Sequence, residues 1–507
     1  MLSGFTHMWN PAGFPAFHPD EGVYLRRSLH VLDGLGPQDA NSRFDHSQNS
    51  NSSYDHPYFG QLFMAGIFYM TGYPDSFEPS PNLSSVERMF SIPRIIMGFL
   101  SMADTFLIYR LCERRYNRTV AVASALLFAV MPLTWFTRRI VLDSIQLPFL
   151  LLSLLAAIEI KNTKRNPILL YAVSGTFMGL AIFTKIPVFI MIPLVIYLIY
   201  FGQPKGEKHY KKGLKRIIFW LVPLVTISSF WPIHAAISGE FDEWISGILW
   251  QGTQRQSEGK SLLDTLQDSW NLDPVLLVLG FAGVVICTIR RDLLPLLWIG
   301  PYLLFLGIVG WVTHFHLILI IPPLCIASGN LIGNLPKLVW LKSSLVPTVA
   351  ISSLVIFGLV VTVMIITSDV SSAQLQGIAF VAHDIINTSD TSHRFYDDIT
   401  IVASPANSWL FKYVFENQHT FSHVRNTEPI KTDHVILVVD STYKHVVSKT
   451  EGENLTQILR LENLYNNTDV IAIFRDRWPD PTLRFYPYTG LELATIGSKI
   501  HEIRANY

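Results

Sequence analysis

Residues 143–184 read DSIQLPFLLLSLLAAIEIKNTKRNPILLYAVSGTFMGLAIFT: two apolar runs, 143–160 and 168–184, divided by Lys161, Lys164 and Arg165. A membrane span needs roughly 20 mostly apolar residues, and cytoplasmic connections keep an excess of Lys and Arg. The stretch therefore predicts a hairpin of spans with its basic turn inside the cell. Working outward, similar runs lie near 91–111, 119–137, 186–201, 216–237, 273–289, 293–312, 315–333 and 344–367, about ten in all. Half of the 507 residues are hydrophobic, only 15% are charged, and the mean hydropathy is +0.32. An average soluble domain carries about 25% charged residues, so the fold class is an α-helical polytopic membrane protein.

Every second connection is basic: Arg110–Arg118, Lys161–Arg165, Lys205–Arg216, Arg290 with Arg291, and Lys337 with Lys342. These lie inside, so the alternate set faces out. Asn-X-Ser/Thr triplets at Asn51, Asn82, Asn387, Asn454 and Asn466 fall on that outer side, and Asn117 falls inside. Three regions follow. Residues 1–90 are a first extracytoplasmic loop, with the apolar 58–73 stretch as an interfacial helix and the span expected before the loop absent. Residues 91–367 form the multi-span domain. Residues 368–507 form a small extracytoplasmic α/β domain, with strands at 399–403, 435–439 and 470–474 and a helix over 408–415. Formal net charge is zero, so no global field points to nucleic acid. Cys112, Cys287 and Cys325 all sit in or beside apolar runs, so no disulfide framework or cysteine-rich zinc site is available.

The polar residues of the outer side carry the chemistry. Asp20 and Glu21 open a helical run containing Tyr24; they read as a reactive carboxylate pair, or as an acidic helix start that complements the dipole. Asp55-His56-Pro57 precedes the interfacial helix: a second carboxylate with a histidine that contacts phosphate or a divalent metal, or a capped turn. Arg138 and Arg139, with Asp143, defy the positive-inside tendency, which suits bidentate phosphate binding, pairing with a carboxylate, or snorkelling to headgroups. Lys185 is flanked by apolar residues and calls for an anion, the alternative being a lysine that snorkels. Arg94, Arg255, Lys260, His314 and His316 are weaker candidates, and Trp231, Trp244, Trp250 and Trp270 read as an aromatic belt.

This pattern resembles the superfamily C glycosyltransferases, and within them the protein O-mannosyltransferase and aminoarabinose-transferase-like group. The similarity rests on Asp20-Glu21, Asp55-His56-Pro57, the Arg139-to-Asp143 connection and Thr184-Lys185; Tyr58 departs from it, standing where a second proline is often found. It implies about 11 to 13 spans and a hexose, mannose by this likeness, moved from a polyprenyl- or dolichyl-phosphate carrier to a protein, glycan or lipid hydroxyl. It also implies Asp20 as base with Glu21 and Asp55 beside it, Arg138, Arg139 and Lys185 as phosphate ligands, and His56 and Tyr24 positioning the acceptor or a metal. No cofactor is required, and a divalent metal stays open. An oligosaccharyltransferase would carry a Trp-Trp-Asp motif in the C-terminal domain, which this sequence lacks; a flippase or transporter would place its ionisable residues near the midplane instead.

Overall fold

The computed structural model describes residues 1–37, 54–163, 166–201, 210–254, 261–310, 312–334, 345–389, 399–417, 419–422, 434–440, 443, 455–475, 482–485, 488–492 and 500–506. The triplets at Asn51 and Asn454, and the candidates Arg255 and Lys260, lie outside these residues. Asn82 and Asn117 serve as helix N-caps, accepting from the Ser85 and Val120 amides at 2.8 and 3.0 Å.

All ten apolar runs are helical, but they differ in reach. Five helices are long and apolar enough to cross a membrane: Leu83–Arg115, Leu142–Ile160, Arg216–Ile237, His314–Gly333 and Leu345–Ile366. Two more runs form bent pairs, Arg118–Val130 with Pro132–Arg138 at 68° and Leu262–Leu272 with Pro274–Ile289 at 113°. The remaining three, Ile168–Thr184, Ile186–Tyr200 and Leu294–Val309, are apolar helices of less than spanning length. The first long helix begins at Leu83, eight residues before the start read from the sequence, because Ser85 to Glu87 continue the helix behind the Asn82 cap.

The first bend is made by Pro132, whose fixed backbone angle opens a 3-10 turn at Pro132–Arg138. Asp273 ties the two bends together. Its Oδ1 accepts from the Leu276 amide at 2.9 Å, capping Pro274–Ile289, and its Oδ2 accepts from the Leu133 amide at 3.1 Å. Helices meet closely where a side chain is missing: a methyl group on Gly175 would lie 2.0 Å from the Trp220 carbonyl oxygen. The short helix Leu2–Met8 lies along Leu83–Arg115, with Ser3 Oγ 2.8 Å from Thr105 Oγ1.

The 58–73 stretch forms the helix Phe59–Thr71, which buries Gly60, Gln61, Met64, Ala65 and Phe68 and exposes Leu62, Tyr69 and Met70. Beyond the spans, five strands form one sheet in the order β2-β1-β3-β7-β4: β1 Ile399–Ala403, β2 Thr420–Ser422, β3 His434–Val439, β4 Asp469–Arg475 and β7 Ile500–Asn506. The β1 strand is parallel to β2 and β3, whereas β7 is antiparallel to β3 and β4. A separate hairpin joins β5 Thr482–Phe485 to β6 Tyr488–Glu492. Alternation of side chains sends Val402, Val435, Leu437 and Val439 toward Leu461 of the Leu455–Asn466 helix. Ile401, Ala403, Ile436, Val438 and Ile503 enter a core shared with Phe17, Leu25 and Leu29 of the first loop. The helix expected at 408–415 is instead the α-helix Pro405–Trp409 followed by a wider turn, Leu410–Val414, because Pro405 is a favoured first helical residue and starts the coil early.

Candidate active site

The site is organised by the first-loop helix Pro19–Leu32. Pro19 occupies its first turn and His18 caps it: His18 Nδ1 accepts from the Asp20 amide at 3.2 Å, and Glu21 Oε2 accepts from the His18 amide at 3.0 Å. Helical spacing then separates three faces. Asp20, Tyr24 and Arg27 share one, Glu21 and Leu25 a second, and Gly22, Arg26 and Leu29 a third.

Glu21 is held from several sides. It accepts from Arg94 Nη2 at 2.6 Å, from Arg94 Nε at 3.2 Å and from the Ile140 amide at 3.0 Å, with Arg139 Nη1 at 3.6 Å. Arg94 Nη1 also donates to the Pro11 and Pro15 carbonyls at 2.8 and 2.6 Å. Burial pushes the Glu21 carboxyl upward, but Arg94 and Arg139 outweigh it and hold the group below the ordinary carboxylate range. This network binds the first loop to the start of the Leu83–Arg115 helix and to the turn after Arg139.

The Asp20 face looks onto charges from three other segments. Arg27 Nη2 lies 2.9 Å from Asp55 Oδ1, which also accepts from the His56 amide at 3.0 Å. Lys185 Nζ donates to Asp143 Oδ2 at 2.6 Å and stands 5.2 Å from the Phe315 ring centre. Gln146 holds the Lys185 turn by donating to the Ala181 carbonyl at 2.7 Å and to that of Lys185. Tyr24 stands among these groups: burial, then Asp20, Asp55 and Asp143, push its phenol well above its ordinary pKa, so it remains a neutral donor. Its ring centre lies 6.4 Å from that of His56.

Arg138 and Arg139 close the cluster. Arg138 donates to the Trp9 carbonyl and lies 5.5 Å from the Phe14 ring centre; Arg139 donates to the Ala16 carbonyl at 2.8 Å and lies 5.3 Å from that of Trp135. Arg138 Nη1 and Arg139 Nε make no hydrogen bond. At the margin, His314 lies 6.1 Å from His18, ring centre to ring centre.

The structure thus brings Asp20, Tyr24, Asp55, His56, Asp143 and Lys185 together, with Arg139 against Glu21 and Arg138 beside Arg94. Arg94, a weaker candidate from sequence, is the main partner of Glu21. Arg27 was missed, although Arg26-Arg27 carries the signal that drew attention to Arg138-Arg139: paired arginines on a side where cations are uncommon. Arg27, Arg94, Arg138, Arg139 and Lys185 are all buried, as are Asp20, Glu21, Asp55 and Asp143.

No group of three His, Cys, Asp or Glu side chains among the described residues is arranged to hold a metal ion. His56, the candidate metal contact, follows Asp55, which is engaged by Arg27 and its own turn, and no step below passes through a metal.

Residues 83–233, less than half of the chain, match the family model described as dolichyl-phosphate-mannose-protein mannosyltransferase. No curated protein matches by sequence. Among solved structures, ArnT from Cupriavidus metallidurans bound to undecaprenyl phosphate superposes with a TM-score of 0.55 at 13% identity, covering 100% of this chain and 96% of that one. The oligosaccharyltransferase AglB from Archaeoglobus fulgidus, in complex with an inhibitory peptide and a dolichol-phosphate, gives 0.56 at 11% identity, covering 88% of this chain and 69% of that one. Residues 83–233 thus carry a likeness to that family, and the fold of the chain is similar to those of ArnT and AglB.

Proposed function

We propose that the protein transfers a hexose, mannose by the family match, from a polyprenyl- or dolichyl-phosphate carrier to a hydroxyl acceptor on the extracytoplasmic face. The observation that carries this reading is the gathering of Asp20, Tyr24 and the buried pairs Arg27–Asp55 and Lys185–Asp143. A sugar phosphodiester bears one negative charge, which cations stabilise most strongly in a site of low polarity. The undecaprenyl and dolichol phosphates bound by the two structural neighbours support the same donor class.

Asp20 is the base. It takes the proton of the acceptor hydroxyl as that oxygen attacks the anomeric carbon from the face opposite the phosphate. The bond from anomeric carbon to phosphate oxygen breaks, its electron pair stays on the phosphate, and the carrier leaves as polyprenyl phosphate with the sugar configuration inverted. Arg138 and Lys185 stabilise the charge gained by the leaving phosphate, with Arg139 behind them. Tyr24 and His56 line the acceptor side, Arg27 fixes Asp55, and Glu21 anchors the loop. The basic connections between spans support an outward position for this face.

A pyrophosphate carrier differs from a phosphate carrier by a second phosphate group and a further negative charge. Polyprenyl phosphate is expected to compete for the purified protein about ten times better than polyprenyl pyrophosphate of the same chain length, as measured by native mass spectrometry. Preference for the pyrophosphate would replace this reading with an oligosaccharyltransferase-type donor.

A further inference from the structure

The third face of the first-loop helix meets the C-terminal domain without an intervening side chain. A methyl group on Gly22 would lie 1.9 Å from the Pro405 carbonyl oxygen and 2.8 Å from Ala406 Cα. Both are backbone atoms, and neither can be rotated away. The segment they belong to is fixed in turn. Pro405 to Trp409 are all buried; Trp409 Nε1 donates to the Ala406 carbonyl at 2.8 Å, and Gln374 Nε2 donates to Asn407 Oδ1 at 2.5 Å. The Trp409 ring lies 5.2 Å from Phe90, which lies 4.0 Å from Phe17, three residues before Asp20. The end of β1 therefore runs straight into a strut that presses on the first loop.

The geometry of the helix gives this contact a consequence. At 3.6 residues per turn, positions two apart point in directions about 160° apart. Gly22 faces the strut, so Asp20 faces almost directly away from it, toward Asp55, Asp143 and Lys185. The distance between the helix axis and Pro405 sets how far the Asp20 carboxylate projects into the cluster.

We propose that Gly22 and the Ser404–Trp409 strut are positioning residues: the C-terminal domain sets the depth of Asp20 in the site, and the site is incomplete without it. This rests on Asp20 being the base, as proposed above. A displacement of about 1 Å in a reacting group lowers a rate by about 100-fold, and a Cβ on Gly22 demands a shift of that order. Binding of the donor phosphate depends on Arg138 and Lys185, which lie on other segments.

The test is a set of alanine substitutions in the full-length protein, assayed with polyprenyl-phosphate hexose. Gly22→Ala is expected to lower kcat by about 100-fold while KM for the lipid donor and the thermal midpoint in detergent stay close to those of the unmodified protein. Gly377→Ala is the matched control: its Cβ lies 2.7 Å from His501 Cδ2, inside the C-terminal domain and away from the first loop. It disturbs the domain on the His501 side of the helix that carries Gln374, makes no contact of its own with the strut, and keeps kcat within a few fold. Gly66→Ala, which meets nothing within 4 Å, behaves as the unmodified protein. Should Gly22→Ala fail to fold, Trp409→Phe loosens the same strut by removing the bond to Ala406 and lowers kcat, not the affinity for donor.

Unchanged kcat in Gly22→Ala overturns the proposal, as does an equal loss of kcat in Gly377→Ala. If Asp20→Asn is inactive while Gly22→Ala turns over normally, only the positioning role falls. If Asp20→Asn is active, the assignment of the base itself is what fails.

Discussion

Asp20→Asn is expected to give a folded protein that has lost sugar transfer. The substitution keeps the shape of the side chain and leaves the His18 cap and the Glu21 network untouched. It removes the one property a base needs, and general-base catalysis contributes typically about 10²–10⁴-fold. Donor binding should survive, because the proposed phosphate ligands lie on other segments. The neighbouring carboxylate should behave in the opposite way. Glu21→Gln leaves Arg94 buried without its counter-charge, and breaking a buried pair from one side costs about 3–5 kcal/mol. It should lower the thermal midpoint, and its effect on turnover should follow the loss of folded protein. The pH dependence has a defined sign. The folded Glu21 carboxyl sits below its unfolded value of about 4.3, so its stabilising contribution is present above that pH and is lost as pH falls through the folded value. Near-normal turnover by Asp20→Asn, with sugar transfer abolished in a fully folded Glu21→Gln, would exchange the two assignments.

Lys185→Met is expected to abolish turnover by a separate route. The ammonium lies 2.6 Å from Asp143 in a buried setting, so the single substitution removes the proposed phosphate ligand and strands a carboxylate. Loss of one donor aimed at developing charge lowers kcat by about 10²–10³-fold, while the unpaired Asp143 lowers stability by about 3–5 kcal/mol. A double variant separates the two effects. Lys185→Met with Asp143→Leu removes both charges, so the thermal midpoint should recover while turnover stays at the level of the single variant. Recovery of turnover together with stability would mean that Lys185 serves only to pair with Asp143.

Much of this architecture is legible in the chain because a membrane leaves few alternatives. A run such as Leu345–Ile366 has no way to satisfy its backbone in lipid except as a helix. Turns inside a run are harder. The 119–137 stretch reads as one span, yet Pro132 breaks it, and that break delivers Arg138 and Arg139 to the site. The polar elements could be collected because they gather at one end of the spans; their pairing could not. The bond from Arg94 to Glu21 crosses 73 residues, and nothing local to either residue announces it. Arg27 belongs to the cluster only because the Asp55 turn folds over the same helical face. The β7 strand, Ile500–Asn506, carries His501, Glu502 and Arg504 and shows no clean apolar alternation, although it lies between β3 and β4. The contact at Gly22 joins positions almost 400 residues apart in the chain, and a single glycine in a helix carries no mark of the partner that requires it.

The account turns on a lipid-phosphate sugar as the substrate of the Asp20 and Lys185 cluster. Its most direct test is turnover of a synthetic polyprenyl-phosphate mannose by the purified protein with membrane-extract acceptors, following both products by mass spectrometry. The predicted result is release of free polyprenyl phosphate in step with mannosylated acceptor, absent in Asp20→Asn. Mannose transfer from a nucleotide sugar, with the lipid-linked donor left intact, would contradict it.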